Sequence, residues 1–108
     1  MCITPIASVD EFTKVVESDD ISVVGFTADW CDGPCKPILQ LYDEYSTKGD
    51  KIHFYQVDVD KQLEVAGGIG IMTVPTTIAY RGKGKKVDAV FGNNTGKLRI
   101  MLDRLEKL

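Results

Sequence analysis

The chain has 108 residues, of which 44% are hydrophobic and 27% charged, and its formal net charge is −3. That balance fits one soluble globular domain over residues 1–108, with enough apolar material for a core without disulfide staples. It argues against nucleic acid as a partner, and no apolar run approaches the ~20 residues of a membrane span.

The opening residues Met1-Cys2-Ile3-Thr4-Pro5 carry no charged or apolar leader pattern, so the cytoplasm is the expected compartment. Ser8 and Glu11 form an S-x-x-E capping box, and Phe12, Val15 and Val16 supply the apolar face of a first helix. Ile21 to Thr27 is β-branched and almost wholly apolar, the pattern of a strand covered on both faces. Pro34 to about Lys48 reads as a helix, with Ile38, Leu41, Tyr42 and Tyr45 on one face. Ile52 to Val59 reads as a second buried strand. A short helix is expected over Lys61 to Ala66, broken by Gly67, Gly68 and Gly70. Thr76 to Tyr80 and Lys86 to Phe91 form a hairpin around Arg81 to Lys85. Arg81, Lys83, Lys85 and Lys86 alternate with Gly82 and Gly84 and read as a solvated turn. A last helix runs from about Thr95 to Leu108, with Leu98, Met101, Leu102, Leu105 and Leu108 as its stripe. An early βαβ unit followed by a hairpin predicts an α/β fold, a central mixed sheet with helices on both faces.

The chain has three cysteines. An odd, small number argues against a structural disulfide framework. Cys2 stands alone and reads as a free thiol without a role. Cys31 and Cys35 follow a buried strand and open a helix, where partial positive charge and unpaired N–H groups stabilise a thiolate. Pro34 suits a first helical turn, and Trp30 offers an apolar wall beside the first sulfur. Cys31 is then the exposed attacker and Cys35 the resolver.

The segments Phe26-Thr27-Ala28-Asp29-Trp30-Cys31, Gly33-Pro34-Cys35-Lys36 and Val74-Pro75-Thr76 resemble the thioredoxin family. Gly70-Ile71, Gly84 and Gly92 match it as well, and the resemblance covers essentially the whole chain. It implies a thioredoxin fold and reduction of protein disulfides through a redox-active Cys31–Cys35 disulfide, with no bound cofactor and no metal. It further implies a cis Val74–Pro75 bond facing the cysteines. Thr73 and Val74 would pair with an extended substrate segment, in a groove also lined by Trp30, Pro75 and Gly92. A thioredoxin reductase using NADPH and disulfide-bearing proteins are the implied partners of a monomeric chain.

Three features depart from that family. Asp32, Gly33 and Pro34 place three residues between the cysteines where thioredoxins have two. Ideal helix geometry separates Cα atoms by about 6.2 Å at i, i+4, near the long end of the roughly 4.4–6.8 Å that a disulfide spans. Asp32 also adds charge. At ~6 Å a carboxylate disfavours a thiolate by ~0.7 kcal/mol in water and ~2.8 kcal/mol at an effective dielectric of 20, against ~0.3–1 kcal/mol of help from a helix terminus. Asp32 either faces Cys31 in this way or N-caps the helix. Second, Gly25 stands where thioredoxins carry a buried aspartate that moves the resolving cysteine's proton. Gln56 on the next strand cannot titrate, and Asp58 is left as a candidate substitute. Slower exchange is expected. Third, Pro37 removes a helical donor and pushes Lys36 from α geometry, so the regular helix is expected to start late.

Two other readings stand beside the reductase. One is a binding module that keeps the fold and groove but has lost redox activity. The other is metal binding by the two cysteines; His53, the only histidine, lies on a strand amid an alternating pattern, and a closed zinc site wants four ligands.

Overall fold

The computed structural model describes residues 3–108; the expectation for Cys2 lies outside them. The elements are β1 (Ile3–Pro5), α1 (Val9–Glu17), β2 (Ile21–Thr27), α2 (Asp32–Ser46), β3 (Ile52–Asp58), α3 (Leu63–Ile69), β4 (Thr76–Arg81), β5 (Lys86–Phe91) and α4 (Thr95–Glu106). The sheet order is β1-β3-β2-β4-β5. β1 and β2 run parallel to β3, while β4 is antiparallel to both β2 and β5. This is the expected mixed sheet, and β2 lies at its centre.

Every residue of β2 is buried because both faces are covered. Its side chains alternate. Ile21 and Val23 face a cluster with Ile38, Leu41, Tyr42 and Tyr45 of α2 and Leu98, Met101, Leu102 and Leu105 of α4. Val24 and Phe26 face a second cluster with Val16 of α1 and Val65 of α3. Helices therefore cover both faces. The Ser8 half of the capping box forms, with Glu11 N donating to Ser8 Oγ at 3.1 Å, while Glu11 Oε1 accepts from Ala7 N, one residue before the cap, at 3.1 Å. The basic hairpin is an exposed turn anchored by Gly84 N donating to Val16 O at 2.7 Å.

Four boundaries differ from the sequence expectation. β1 is a three-residue edge strand that the pattern did not predict. Gly67 and Gly68 lie inside α3, and only Gly70, with φ 82°, ends it in the left-handed region that favours glycine. Helix α4 stops at Glu106, leaving Leu108 exposed instead of completing the stripe. Helix α2 begins at Asp32 and runs through Pro37, so it starts early instead of late.

Two buried phenols give the core a pH limit. Burial pushes Tyr80 up to about 12 and drives Tyr42 well above the usual phenol range. Below pH ~10 the phenols are protonated in both folded and unfolded chains, and they leave stability level. Above it the unfolded chain releases those protons first, so stability falls as pH rises towards about 12. We expect these two phenols to ionise only together with loss of helical circular dichroism in an alkaline titration. Their ionisation ahead of unfolding would contradict the buried placement.

Candidate active site

Cys31 and Cys35 sit just past the carboxyl end of β2, where the central strand hands over to α2. They are joined by a disulfide with Cα atoms 5.4 Å apart. That spacing is shorter than the ~6.2 Å of an ideal i, i+4 pair. The reason is local: Cys31 is the N-cap of α2, with φ −96° and ψ 47°, outside helical geometry. Its carbonyl accepts from Cys35 N at 3.1 Å, the first bond of the helix. The extra residue is thus absorbed by the cap conformation, and the three-residue spacer places the two cysteines within ordinary disulfide reach.

The cap assignment corrects one of the two readings of Asp32. Asp32 does not cap α2; it occupies the first helical position, exposed, beside the cap. Its carboxylate there stabilises the helix dipole while opposing a thiolate on the preceding residue. We expect Asp32→Asn to speed alkylation of Cys31 below its thiol pKa by about two- to threefold, because an exposed charge acts near the water limit and a more acidic thiolate is a poorer nucleophile. Stability should fall by ~0.3–1 kcal/mol. Rates of iodoacetamide labelling against pH check the first figure; no change would mean the carboxylate is turned away.

Cys31 is not the exposed thiol expected from the sequence. Cys31 is 2% exposed and Cys35 3%, so neither is an open sulfur in the disulfide form. Ala28, Val59 and Val74 pack around the pair. Trp30 is 69% exposed, and its Nε1 donates to Asp60 Oδ2 at 2.8 Å, tying the indole to the turn after β3. Gly33, Pro34 and Lys36 are exposed on the first turn of α2. Val74–Pro75 is cis, Pro75 is buried, and its carbonyl accepts from Gly92 N at 2.7 Å. Thr73 is exposed beside it, and its carbonyl accepts from Thr76 Oγ1 at 2.7 Å. The structure therefore brings Val74 to the sulfurs and Gly92 to Pro75.

Position 25 has a clear physical occupant. A Cβ built there would lie 2.4 Å from Tyr42 Cε2 and 2.6 Å from its hydroxyl. The Tyr42 ring, fully buried, stacks on Phe54 and takes the volume that a side chain at 25 would need. Its hydroxyl shares a 2.5 Å hydrogen bond with Thr77 Oγ1. Asp58 does not replace a buried acid, because its Oδ1 accepts from Asp60 N at 2.9 Å and Lys61 N at 3.2 Å, holding the turn after β3. The sequence pattern gives Asp60 no role and places Tyr42 only on the apolar face of α2. Nothing in the local sequence pairs Tyr42 with a glycine on another element, or Asp60 with Trp30 thirty residues earlier. Among the described residues no group of three or more His, Cys, Asp or Glu side chains gathers to hold a metal, and His53 lies 3.9 Å from Asp20 on the surface.

A closable cysteine pair at a helix N-terminus, beside a cis-proline and at the end of the central strand, defines a thiol–disulfide exchange protein. Comparison with known proteins agrees. The family profile described as Thioredoxin matches residues 4–104. The chain is 41% identical to a thioredoxin of Malassezia sympodialis, over 90% of this chain and 92% of that protein. It is 34% identical to thioredoxin 1 of Plasmodium falciparum, over 92% and 93% of the two chains. A thioredoxin structure from Plasmodium falciparum superposes with a TM-score of 0.86 at 33% identity, covering 94% of this chain and 98% of that one. The chain belongs to the thioredoxin family and is a protein-disulfide reductase with a variant Cys-Asp-Gly-Pro-Cys site.

Proposed function

We propose that Cys31 attacks the target disulfide and Cys35 resolves the mixed disulfide, with the substrate chain lying along Thr73, Val74 and Pro75 between Trp30 and Gly92. The 5.4 Å Cα separation of the pair carries this reading, since it lets the ring close after each turnover. Cys31 is the attacker because it stands at the cap, outside the helical ladder, whereas Cys35 is held by the bond to the Cys31 carbonyl. Val74 packs on the pair and Thr73 is exposed, which suits backbone pairing with an extended segment.

Exchange is slower than a buried acid would permit, since Tyr42 fills the space at Gly25 and the register partners of that position, Gln56 and Thr77, carry no titratable group. General-base help is worth ~10²–10⁴-fold where that step limits. The partners are an NADPH-dependent thioredoxin reductase and disulfide-bearing proteins, met by a monomer. A reducing compartment, the cytoplasm, suits a chain with few cysteines and a reducible pair.

Equilibration in glutathione buffers followed by thiol counting tests the couple, with reduction of a protein disulfide as the activity. The reading expects two thiols to titrate together and turnover to depend on both. A chain whose thiols stay free under poise that oxidises thioredoxins would support a binding module instead.

A further inference from the structure

At position 25, where the family resemblance implies a buried acid serving Cys35, the described residues offer no titratable base. Around Gly25 the sheet positions on the α2 face are Thr27, Gln56 and Thr77, with Asp58 beyond Gln56, its Oδ1 engaged by Asp60 N and Lys61 N in the turn after β3. Gln56 Nε2 donates to Thr27 Oγ1 at 2.9 Å, and Thr77 Oγ1 is taken by Tyr42. Tyr42 is closed off from solvent and held protonated by burial. Val59 and Val74 pack on the cysteine pair from the other elements and carry no titratable group.

The outer side is different. A cleft of about 680 Å³ reaches the pair, with both cysteines, Thr27, Gln40, Asp43 and Gln56 among its walls. Each water occupies ≈ 30 Å³ in the liquid, so this space admits several waters or a small organic base. The titratable groups that face it are Asp29 from the loop after β2 and Asp32, Lys36 and Asp43 from α2; β3 contributes only Gln56. Asp29, Asp32 and Lys36 are exposed and Asp43 half-buried.

We propose that this cleft is the proton route of the resolving sulfur, and that a small base dissolved in the surrounding water does the work of the missing buried carboxylate. The inference rests on the roles assigned above to Cys31 and Cys35. In the resolving step the base takes the Sγ proton of Cys35. The thiolate attacks Cys31 Sγ, the Cys31–Cys35 bond forms, and the bond from Cys31 to the substrate sulfur breaks. The substrate leaves with the electron pair as a thiolate and is protonated from solvent. The Cys31–Cys35 pair is oxidised by two electrons and the substrate disulfide is reduced.

The test uses the reduced full chain mixed with an aryl disulfide in stopped flow. The first thiolate released reports attack by Cys31 and the second reports resolution by Cys35; Cys35→Ser, which lacks the second phase, subtracts any contribution of Cys2. At constant pH and ionic strength the second phase should rise linearly with imidazole, by about twofold or more across the accessible range. The first phase should not respond. A bulky zwitterionic base of similar pKa should give a much smaller slope, and Gln40→Trp, on an exposed wall position, should flatten the imidazole slope while leaving the thermal midpoint near that of the parent. Absence of any second phase would overturn the role assignment itself. A second phase that ignores imidazole, or follows small and bulky bases equally, overturns the cleft route alone. So does a rate that falls in Asp43→Asn without any dependence on dissolved base.

Discussion

Gly25→Asp is expected to destabilise the fold by ~2–3 kcal/mol or more, lowering the thermal midpoint by about 10 °C or more, instead of simply restoring a buried acid. The first atom added at 25 falls within 2.9 Å of three Tyr42 atoms. That ring has no room to give, because it is fully buried and stacked on Phe54 at 5.5 Å between centroids. Gly25→Ala meets the same clash and separates overpacking from charge burial. The carboxyl adds a desolvation cost that raises its pKa. Gly25→Asp combined with Tyr42→Leu removes the clash and frees the Thr77 hydroxyl, the register neighbour of position 25, as a partner. We expect the double variant to recover much of the stability and to resolve mixed disulfides about tenfold faster or more near neutral pH. It should also lose the dependence on dissolved base. Thermal melts and the stopped-flow second phase measure both effects. A stable Gly25→Asp single variant, or a double variant no faster than the parent, would contradict the role given to Tyr42.

Cys31→Ser is expected to lower protein-disulfide reduction by about 10³-fold or more while leaving the fold intact. A serine hydroxyl is nearly isosteric but stays protonated at neutral pH and cannot carry a disulfide. Ala28, Val59 and Val74 enclose the site in any case, so packing changes little. Cys35→Ser should spare the first attack and abolish the second step. Turnover in Cys31→Ser comparable to the parent would transfer the attack to another sulfur.

Much of this arrangement was legible in the chain. The seven-residue run Ile21 to Thr27 predicted a doubly covered strand because its apolar character leaves no solvent face, and it forms with those bounds. The family-like segments implied the fold that forms, in which Val74 of the cis Val74–Pro75 pair packs on Cys31 and Cys35. What the sequence could not carry is geometry that depends on contacts. β1 is too short to show a period and exists only because β3 offers it an edge. The N-cap conformation of Cys31, which draws the pair together, is a backbone torsion and not a spacing. Pro37 opposes helix locally, yet α2 passes through it because Ile38, Leu41, Tyr42 and Tyr45 bury one face against the sheet. Gly25 read as a missing acid; that it is also a seat for Tyr42, seventeen residues on, appears only when β2 and α2 pack.

The most direct measurement of the exchange mechanism is to trap the intermediate. Cys35→Ser, reduced and mixed with a protein disulfide, should accumulate a covalent adduct whose mass equals the two chains, whose formation is blocked by Cys31→Ser, and whose cross-linked peptide contains Cys31. Rapid release of the adduct by the parent chain, with closure of Cys31–Cys35, completes the prediction. An adduct that maps to Cys2, or no adduct under conditions where the parent reduces the same substrate, would contradict attack by Cys31.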